Sequence, residues 1–320
     1  MDVHKFDSHE EIERIAVVGS GTMGFGIALT YARYGRTVRL VDADPEALAE
    51  GMRSIETSLQ TLADTDQIDE AEIDEITSRI EPVDELTEAV ADADLVTEAV
   101  TEDMDVKRAV FEEIDAAAPA TALLTTNTSG LSITEIAEAV SNPERFAGTH
   151  WFNPAHITPL VEVIKGEATA DETADVLVEL LDAVEKTPVR VEKDVLGFIG
   201  NRIQMAMIYE AFSLLDAGVA SAEDIDRAVK AGFGFRLPSM GIFEKVDQSG
   251  IDVQYAIEEY LMPELDRGTD PNPVVTRLVE QGDLGLKTGK GVYDWSDDSP
   301  SEIYDERDRQ LLEQLRMFES

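Results

Sequence analysis

Three glycines in Gly19-Ser-Gly21-Thr22-Met23-Gly24 have the spacing of a turn that can cradle phosphates. A short apolar run, Arg14-Ile-Ala-Val-Val18, stops at Gly19, and helical periodicity follows from Thr22 to Tyr34. In that setting Gly19 allows a tight turn and Gly21 lets backbone approach a pyrophosphate. Gly24 lets the helix lie close to the strand, and the helix N-terminus attracts the anion. Asp42 follows a second apolar run, Thr37-Val-Arg-Leu-Val41, 18 residues past Gly24. A carboxylate there accepts hydrogen bonds from the adenosine ribose and repels a 2′-phosphate, which favours NAD over NADP. Glycines alone at this spacing also occur in helix-capping turns. The strand before, the helix after and Asp42 together point to a dinucleotide site made by Gly19, Gly21, Thr22, Met23, Gly24 and Asp42.

Other chemistries are closed off. The chain has no cysteine, so disulfides, thiolate ligands and cysteine nucleophiles are excluded. Its four histidines (His4, His9, His150 and His156) show no HExxH spacing, which argues against a metal site. His4 and His9 fall in a polar leader expected to fray, and His156 in a proline-bounded loop.

These residues need elements to hold them. Asp44-Pro45 opens a helix after the second strand, the Asp as N-cap and the Pro at the first helical position. The resulting βαβ unit implies parallel strands and a right-handed crossover. Further strands are predicted over 95–100, 122–126, 146–149, 159–164 and 188–191, with helices over 47–63, 104–117, 132–140 and 171–185. Ser132-Ile-Thr-Glu135 reads as a capping box. Beyond residue 193 only helices are predicted, near 198–217, 221–231, 250–266, 273–281 and 302–317. The expected architecture is α/β, a doubly wound Rossmann-type sheet over residues 1–193, followed by an all-α domain over 194–320.

Sixty-seven acidic against 26 basic residues give a net charge of −41, a field that repels nucleic acid and anionic membranes. The acids are spread along helix faces with periodic apolar residues between them, which argues against disorder. Only nine of the bases are lysine, a composition resembling that of proteins from extreme halophiles. The N-terminus has no basic region and no apolar core, and the most apolar helix is broken by Arg202, Glu210 and Asp216. No signal peptide or membrane span is expected, and a cytoplasmic location follows.

Past the fingerprint, ordered motifs carry a resemblance. Asn127-Thr-Ser-Gly-Leu131, Thr149-His-Trp-Phe-Asn-Pro154 and Leu160-Val-Glu-Val-Ile164 resemble segments of the 3-hydroxyacyl-CoA dehydrogenase family. Leu196-Gly-Phe-Ile-Gly-Asn-Arg202 is similar to the segment that opens its helical domain, and Leu284-Gly-Leu-Lys-Thr-Gly-Lys-Gly-Val-Tyr293 resembles its closing motif. The resemblance implies NAD-dependent oxidation of a 3-hydroxyacyl-CoA by a homodimer, reversibly. It makes His150 the base, Glu162 its partner, and Ser129 and Asn201 contacts to the reacting substrate. It places Glu102, Lys107 and Lys287 near NAD. Such chemistry is sound in itself: oxidising a secondary alcohol removes a hydride and a proton, and an imidazole, with a pKa near ~6.5, exchanges the proton at neutral pH. A carboxylate on the other ring nitrogen fixes the tautomer, and a loop through Asn153-Pro154 can return Glu162 to His150.

Plainer roles stay open for the same residues: His150 as a core histidine, Ser129 as turn chemistry, Asn201 as a helix start, and Glu102, Lys107 and Lys287 as surface charge. The helix after Asp42 departs from the family. Ser58 matches a CoA-contacting position, but the lysine expected seven residues later is Thr65, between Asp64 and Asp66. Arg53, on the same helix, could supply the missing charge. Relatives that oxidise small hydroxy acids without CoA, including carnitine, gulonate and a pyridine alcohol, therefore remain an alternative. An NAD-binding protein without turnover is a third.

Overall fold

The computed structural model describes residue 6 and residues 8–318; His4 lies outside them. The chain up to Asn201, together with Asp308–Leu315, forms one compact unit, and Arg202–Arg307 forms another.

The first unit is built on an eight-stranded sheet: β1 (Arg14–Val18), β2 (Thr37–Val41), β3 (Ile80–Val83), β4 (Leu95–Glu98), β5 (Leu123–Thr126), β6 (Phe146–Trp151), β7 (Leu160–Ile164) and β8 (Thr187–Val191). The order is β3-β2-β1-β4-β5-β6-β7-β8, parallel throughout except for the antiparallel β6–β7 pair. Central strands covered on both faces need continuous apolar runs, and β4, β5 and β6 are buried at every residue. Along β1 the side chains alternate between two cores: Ile15 and Val17 pack with Ile27, Leu29 and Leu40, whereas Ala16 and Val18 pack with Phe111, Leu124 and Phe146. From β1 the chain goes outward to β2 and β3, then returns to place β4 on the other side. That reversal opens a crevice at the carboxyl ends of β1 and β4, where α/β sheets bind ligands.

Two helices frame the crevice, α1 (Gly24–Arg33) and α2 (Pro45–Asp64). Asp44 caps α2 by accepting the Glu46 amide, with Pro45 in the first turn. One strand escaped the sequence reading: β3 is Ile-Glu-Pro-Val, and Pro82 argues against a strand. It pairs only with β2 at the sheet edge, where a missing N–H is tolerated. The predicted helix over 132–140 is a short helix, Ile133–Ile136, followed by a 3-10 turn. His9, expected to fray, sits in the 3-10 turn His9–Glu11 with Nδ1 3.6 Å from Glu179. The last helix, Pro300–Phe318, returns to the first unit through Leu311, Leu312 and Leu315, which pack on the core of α1 and α2.

The second unit is helical, with helices Ala222–Ala231, Phe233–Arg236, Ile242–Ser249, Ile251–Leu261 and Pro273–Gln281 following Gly200–Asp216. The helix predicted over 250–266 ends at Leu261. Among the described residues of Arg202–Arg307, only Asn272 and Val274 are buried.

Candidate active site

The glycine turn is dictated by close approach. Gly19 has φ +99°, and a Cβ there would lie 2.6 Å from the Ala99 carbonyl oxygen, at the carboxyl end of β4. A Cβ on Gly24 would lie 1.8 Å from the Gly19 carbonyl oxygen. Gly21 is the opposite case: its Cβ would meet nothing within 4 Å, leaving the backbone open to a ligand. Asp42 Oδ2 accepts the Ser20 amide (2.8 Å) and hydroxyl (2.9 Å), and Oδ1 accepts the Asp44 amide (3.0 Å). A carboxylate has about four acceptor positions, so capacity remains for a ribose. Asp42 thus also braces the turn. Gly51 went unnoticed in the sequence; a Cβ there would lie 2.7 Å from the Ser20 carbonyl oxygen, so α2 closes against the turn. An open Gly21 backbone beside a helix N-terminus and a carboxylate fits a dinucleotide.

His150 lies inside β6, which runs two residues beyond its predicted end. In the antiparallel register it stands directly opposite Glu162. Their side chains are buried, with Nδ1 2.7 Å from Glu162 Oε2. Glu162 Oε1 accepts the amides of Ile199 and Gly200, each at 2.9 Å. Burial alone would push the Glu162 carboxyl up. The hydrogen bonds from His150, Gly200 and Ile199 outweigh it and hold the carboxyl below its ordinary range. An ionised carboxylate only accepts, so the Nδ1 that faces it carries a proton. The rings of Phe152 and Phe198 flank the imidazole at 4.4 and 5.6 Å.

Ser129 and Asn201 meet: the Asn201 amide group donates to the Ser129 carbonyl at 2.8 Å. Glu102 Oε1 accepts the Thr128 hydroxyl and the Ser129 amide, both at 2.7 Å. Lys107 is no surface charge. Fully buried, its ammonium donates to Glu98 (2.7 Å) and to the Asn127 carbonyl (2.9 Å), with Glu102 3.9 Å away. It therefore reaches the crevice through those groups rather than across open space. Lys287 is exposed on the 3-10 turn Leu286–Thr288 of the second unit. His156 is indeed in a loop but buried, its ring 5.8 Å from Phe25.

The expected CoA contacts are not gathered together. Arg53 and Ser58 are five residues apart on α2, roughly 140° around the helix, so they face different ways. Arg53 is exposed and paired with Glu50 one turn back. Thr65 turns its hydroxyl onto the Thr61 carbonyl at 2.8 Å, and Asp64 pairs with Arg309 of the last helix at 3.3 Å.

Residues 14–195 match the NAD-binding domain of 3-hydroxyacyl-CoA dehydrogenase, and residues 197–295 match its C-terminal domain. The chain is 41% identical over 89% of its length to 3-hydroxyadipyl-CoA dehydrogenase of Escherichia coli, spanning 59% of that longer protein. It is 34% identical over 96% of its length, and 99% of the relative's, to 5-formyl-3-hydroxy-2-methylpyridine 4-carboxylate 5-dehydrogenase of Mesorhizobium japonicum. Among solved structures, an NAD-dependent dismutase of that pyridine type superposes with a TM-score of 0.89 over 97% of this chain and 99% of that one. (S)-3-hydroxybutyryl-CoA dehydrogenase from Ralstonia eutropha gives 0.74 at 35% identity over 89% of this chain and 99% of that one. A dinucleotide turn, an imidazole–carboxylate pair on neighbouring strands and matches across both halves place the chain in the 3-hydroxyacyl-CoA dehydrogenase family, an NAD-dependent oxidoreductase acting on CH–OH groups.

Proposed function

We propose that the chain oxidises a 3-hydroxyacyl-CoA to the 3-oxoacyl-CoA, reversibly, with His150 as the base. The observation that carries this is the buried His150–Glu162 pair, held at 2.7 Å by facing strand positions, with Nδ1 turned to the carboxylate. NAD, when bound, accepts the hydride. His150 takes the hydroxyl proton at Nε2, and Glu162 stabilises the imidazolium that forms, its second oxygen remaining fixed by the Ile199 and Gly200 amides. Ser129 and Asn201, joined to each other, are assigned to the substrate; Asp42 is assigned to the adenosine ribose, and Glu102 and Lys287 to the cofactor.

A specific observation favours a second reading, the same proton chemistry on a small carboxylate without CoA. The pyridine-type structure superposes with a TM-score of 0.89 over 97% of the chain, against 0.74 over 89% for the (S)-3-hydroxybutyryl-CoA dehydrogenase. At the far end of α2 Thr65 stands where the family carries a lysine, and Arg309 of the last helix is paired with Asp64. Activity at saturating cofactor decides between the two, measured with acetoacetyl-CoA and its pantetheine thioester in the presence of NADH, and with free hydroxy acids and pyridine alcohols in the presence of NAD. Turnover of the CoA ester alone supports the first reading. Turnover of the free acids alone replaces it with the second, and an inactive protein that binds NADH sinks both.

The active form is assigned as a homodimer. Apolar side chains such as Phe235 (80% exposed) and Phe243 (86% exposed) crowd a helical unit with almost no buried core, and a second copy would cover them. No helix of the described residues is long and apolar enough to cross a membrane. The acidic charge suits a cytoplasm of high salt, in which self-repulsion is screened.

A further inference from the structure

Glu98 is a carboxylate at the end of an apolar strand, with no exposed surface and no place in the chemistry described so far. All of its bonds run inward. Oε1 accepts the Lys107 ammonium at 2.7 Å and the Val100 amide at 2.6 Å, and Oε2 accepts the Thr126 hydroxyl at 2.6 Å. Its carbonyl accepts the Asn127 amide at 2.7 Å. Lys107 passes the hold on by donating to the Asn127 carbonyl. Asn127 is thereby gripped through both its N–H and its C=O, and its side-chain oxygen accepts the Trp151 amide at 3.0 Å, one residue from His150. Glu102, on the other side of the ammonium, holds Thr128 and Ser129. The Thr128 hydroxyl in turn accepts the Leu131 amide at 2.9 Å.

We propose that Glu98 is a positioning residue. Paired with Lys107 behind the crevice, it fixes the Asn127–Ser129 segment, and through it the relative placement of His150 and Ser129. A buried ion pair is weak evidence of stabilisation, since well-packed apolar residues often do as well. What sets this pair apart is where most of its bonds end: apart from the Val100 amide, they lead to Thr126 and Asn127, beside the segment that carries Ser129 and braces the strand of His150. Because Glu98 has no accessible surface, it acts only through its partners. Burial pushes its carboxyl up, and the Lys107 ammonium and the hydrogen bonds oppose that shift, so the charge depends on the pair staying closed.

The inference rests on His150 and Ser129 being the reacting contacts, so the test includes a readout free of turnover. Glu98→Gln, Lys107→Met and the double variant are compared with wild type by kcat and KM, by NADH affinity from fluorescence, and by amide exchange over residues 126–131. We expect kcat to fall about 10- to 100-fold in each single variant, as for a misplaced reacting group. NADH affinity should stay within about threefold, and the double variant should be no worse than the poorer single one, since paired residues act as a unit. The Ser129 and Leu131 amides should exchange faster. Unchanged kcat, or a loss confined to NADH affinity, overturns the proposal. A kcat loss that merely tracks the unfolded fraction, with exchange unaltered, overturns it too. If Glu98→Gln does not fold, the double variant, which leaves no unpaired buried charge, and Thr126→Val are read in its place. If wild type turns over none of the substrates, the catalytic reading has failed, and exchange alone decides whether Glu98 holds the segment.

Discussion

The two units of this chain reach order by opposite routes. In the sheet unit, β4, β5 and β6 bury every residue, and several ionisable groups inside it are paired: Glu98 with Lys107, His150 with Glu162, Arg145 with Asp115. In the helical unit the 17-residue helix Gly200–Asp216 has no buried residue. What ties it locally is polar: Ser213 donates to Asp266 at 2.6 Å, and Tyr209 to the Asp270 carbonyl at 3.1 Å. A unit that closes its own core can hold side chains to the tolerance that proton transfer needs. One that leaves its apolar faces open is shaped for association. The proposed chemistry and the proposed association therefore fall in different units.

The largest expected effect lies in the first unit. His150→Gln should lower turnover about 10²–10⁴-fold, the usual cost of removing a positioned base, while NADH affinity and the melting curve change little. Wild-type turnover in the purified variant would remove the base from the mechanism. Glu162→Gln should lower turnover as well, because the imidazolium loses its counter-charge.

The second unit should fail by association. Phe235→Asp removes an apolar contact worth about 1.5–3 kcal/mol per copy when buried, and places a charge in the contact twice. Sedimentation velocity should show the dimer weakening by roughly 100-fold or more. A wild-type monomer whose helical unit melts cooperatively would erase the contrast between the units. Salt sharpens the same test. Each copy carries −41, and the screening length grows from about 3 Å at 1 M salt to about 30 Å at 0.01 M. Dilute buffer should separate the copies and lower the melting temperature; a melt indifferent to KCl contradicts this.

Legibility in the sequence follows the same division. The Rossmann-type sheet was readable because parallel strands write themselves as apolar runs, and the glycine turn because close approach forbids side chains at Gly19 and Gly24. β3 was not, since Pro82 hides an edge strand. The roles of Glu98 and Asn127 were invisible because pairing across strands β4, β5 and β6 leaves no spacing along the chain. The one available sign was a lone carboxylate inside Leu95-Val-Thr-Glu-Ala-Val100. Arg53 and Ser58 looked like neighbours by number, but helix geometry separates them. The open faces of the helical unit could not be read at all, because periodicity tells which side is apolar but not what covers it.

Asp42→Ala gives a smaller, two-part effect. It should narrow the preference for NAD over NADP in kcat/KM by about tenfold, the scale of a hydrogen bond to a charged group. It should also weaken NAD binding, because Ser20 loses its brace. Equal use of both cofactors by wild type would mean that the carboxylate serves the turn alone.

The smallest effect concerns the charge on Glu162. Its carboxyl is held below the ordinary range when folded, and in the unfolded chain it returns to about 4.3. A depressed carboxyl contributes stability that is fully present above the unfolded value and is lost as pH falls through the folded one. The melting temperature of wild type should therefore exceed that of Glu162→Gln most clearly above about pH 5, and the gap should close as the solution is acidified past the depressed value. Other carboxylates titrate in the same window and relieve repulsion, but they do so in both proteins, so the difference isolates Glu162. At this size of unit each kcal/mol corresponds to about 2–4 °C, within reach of calorimetry in high salt. A gap that persists or widens in acid would mean that Glu162 is not ionised in the folded state. Nδ1 of His150 would then not be bound to carry the proton, and the assignment of Nε2 as the base would fall with it.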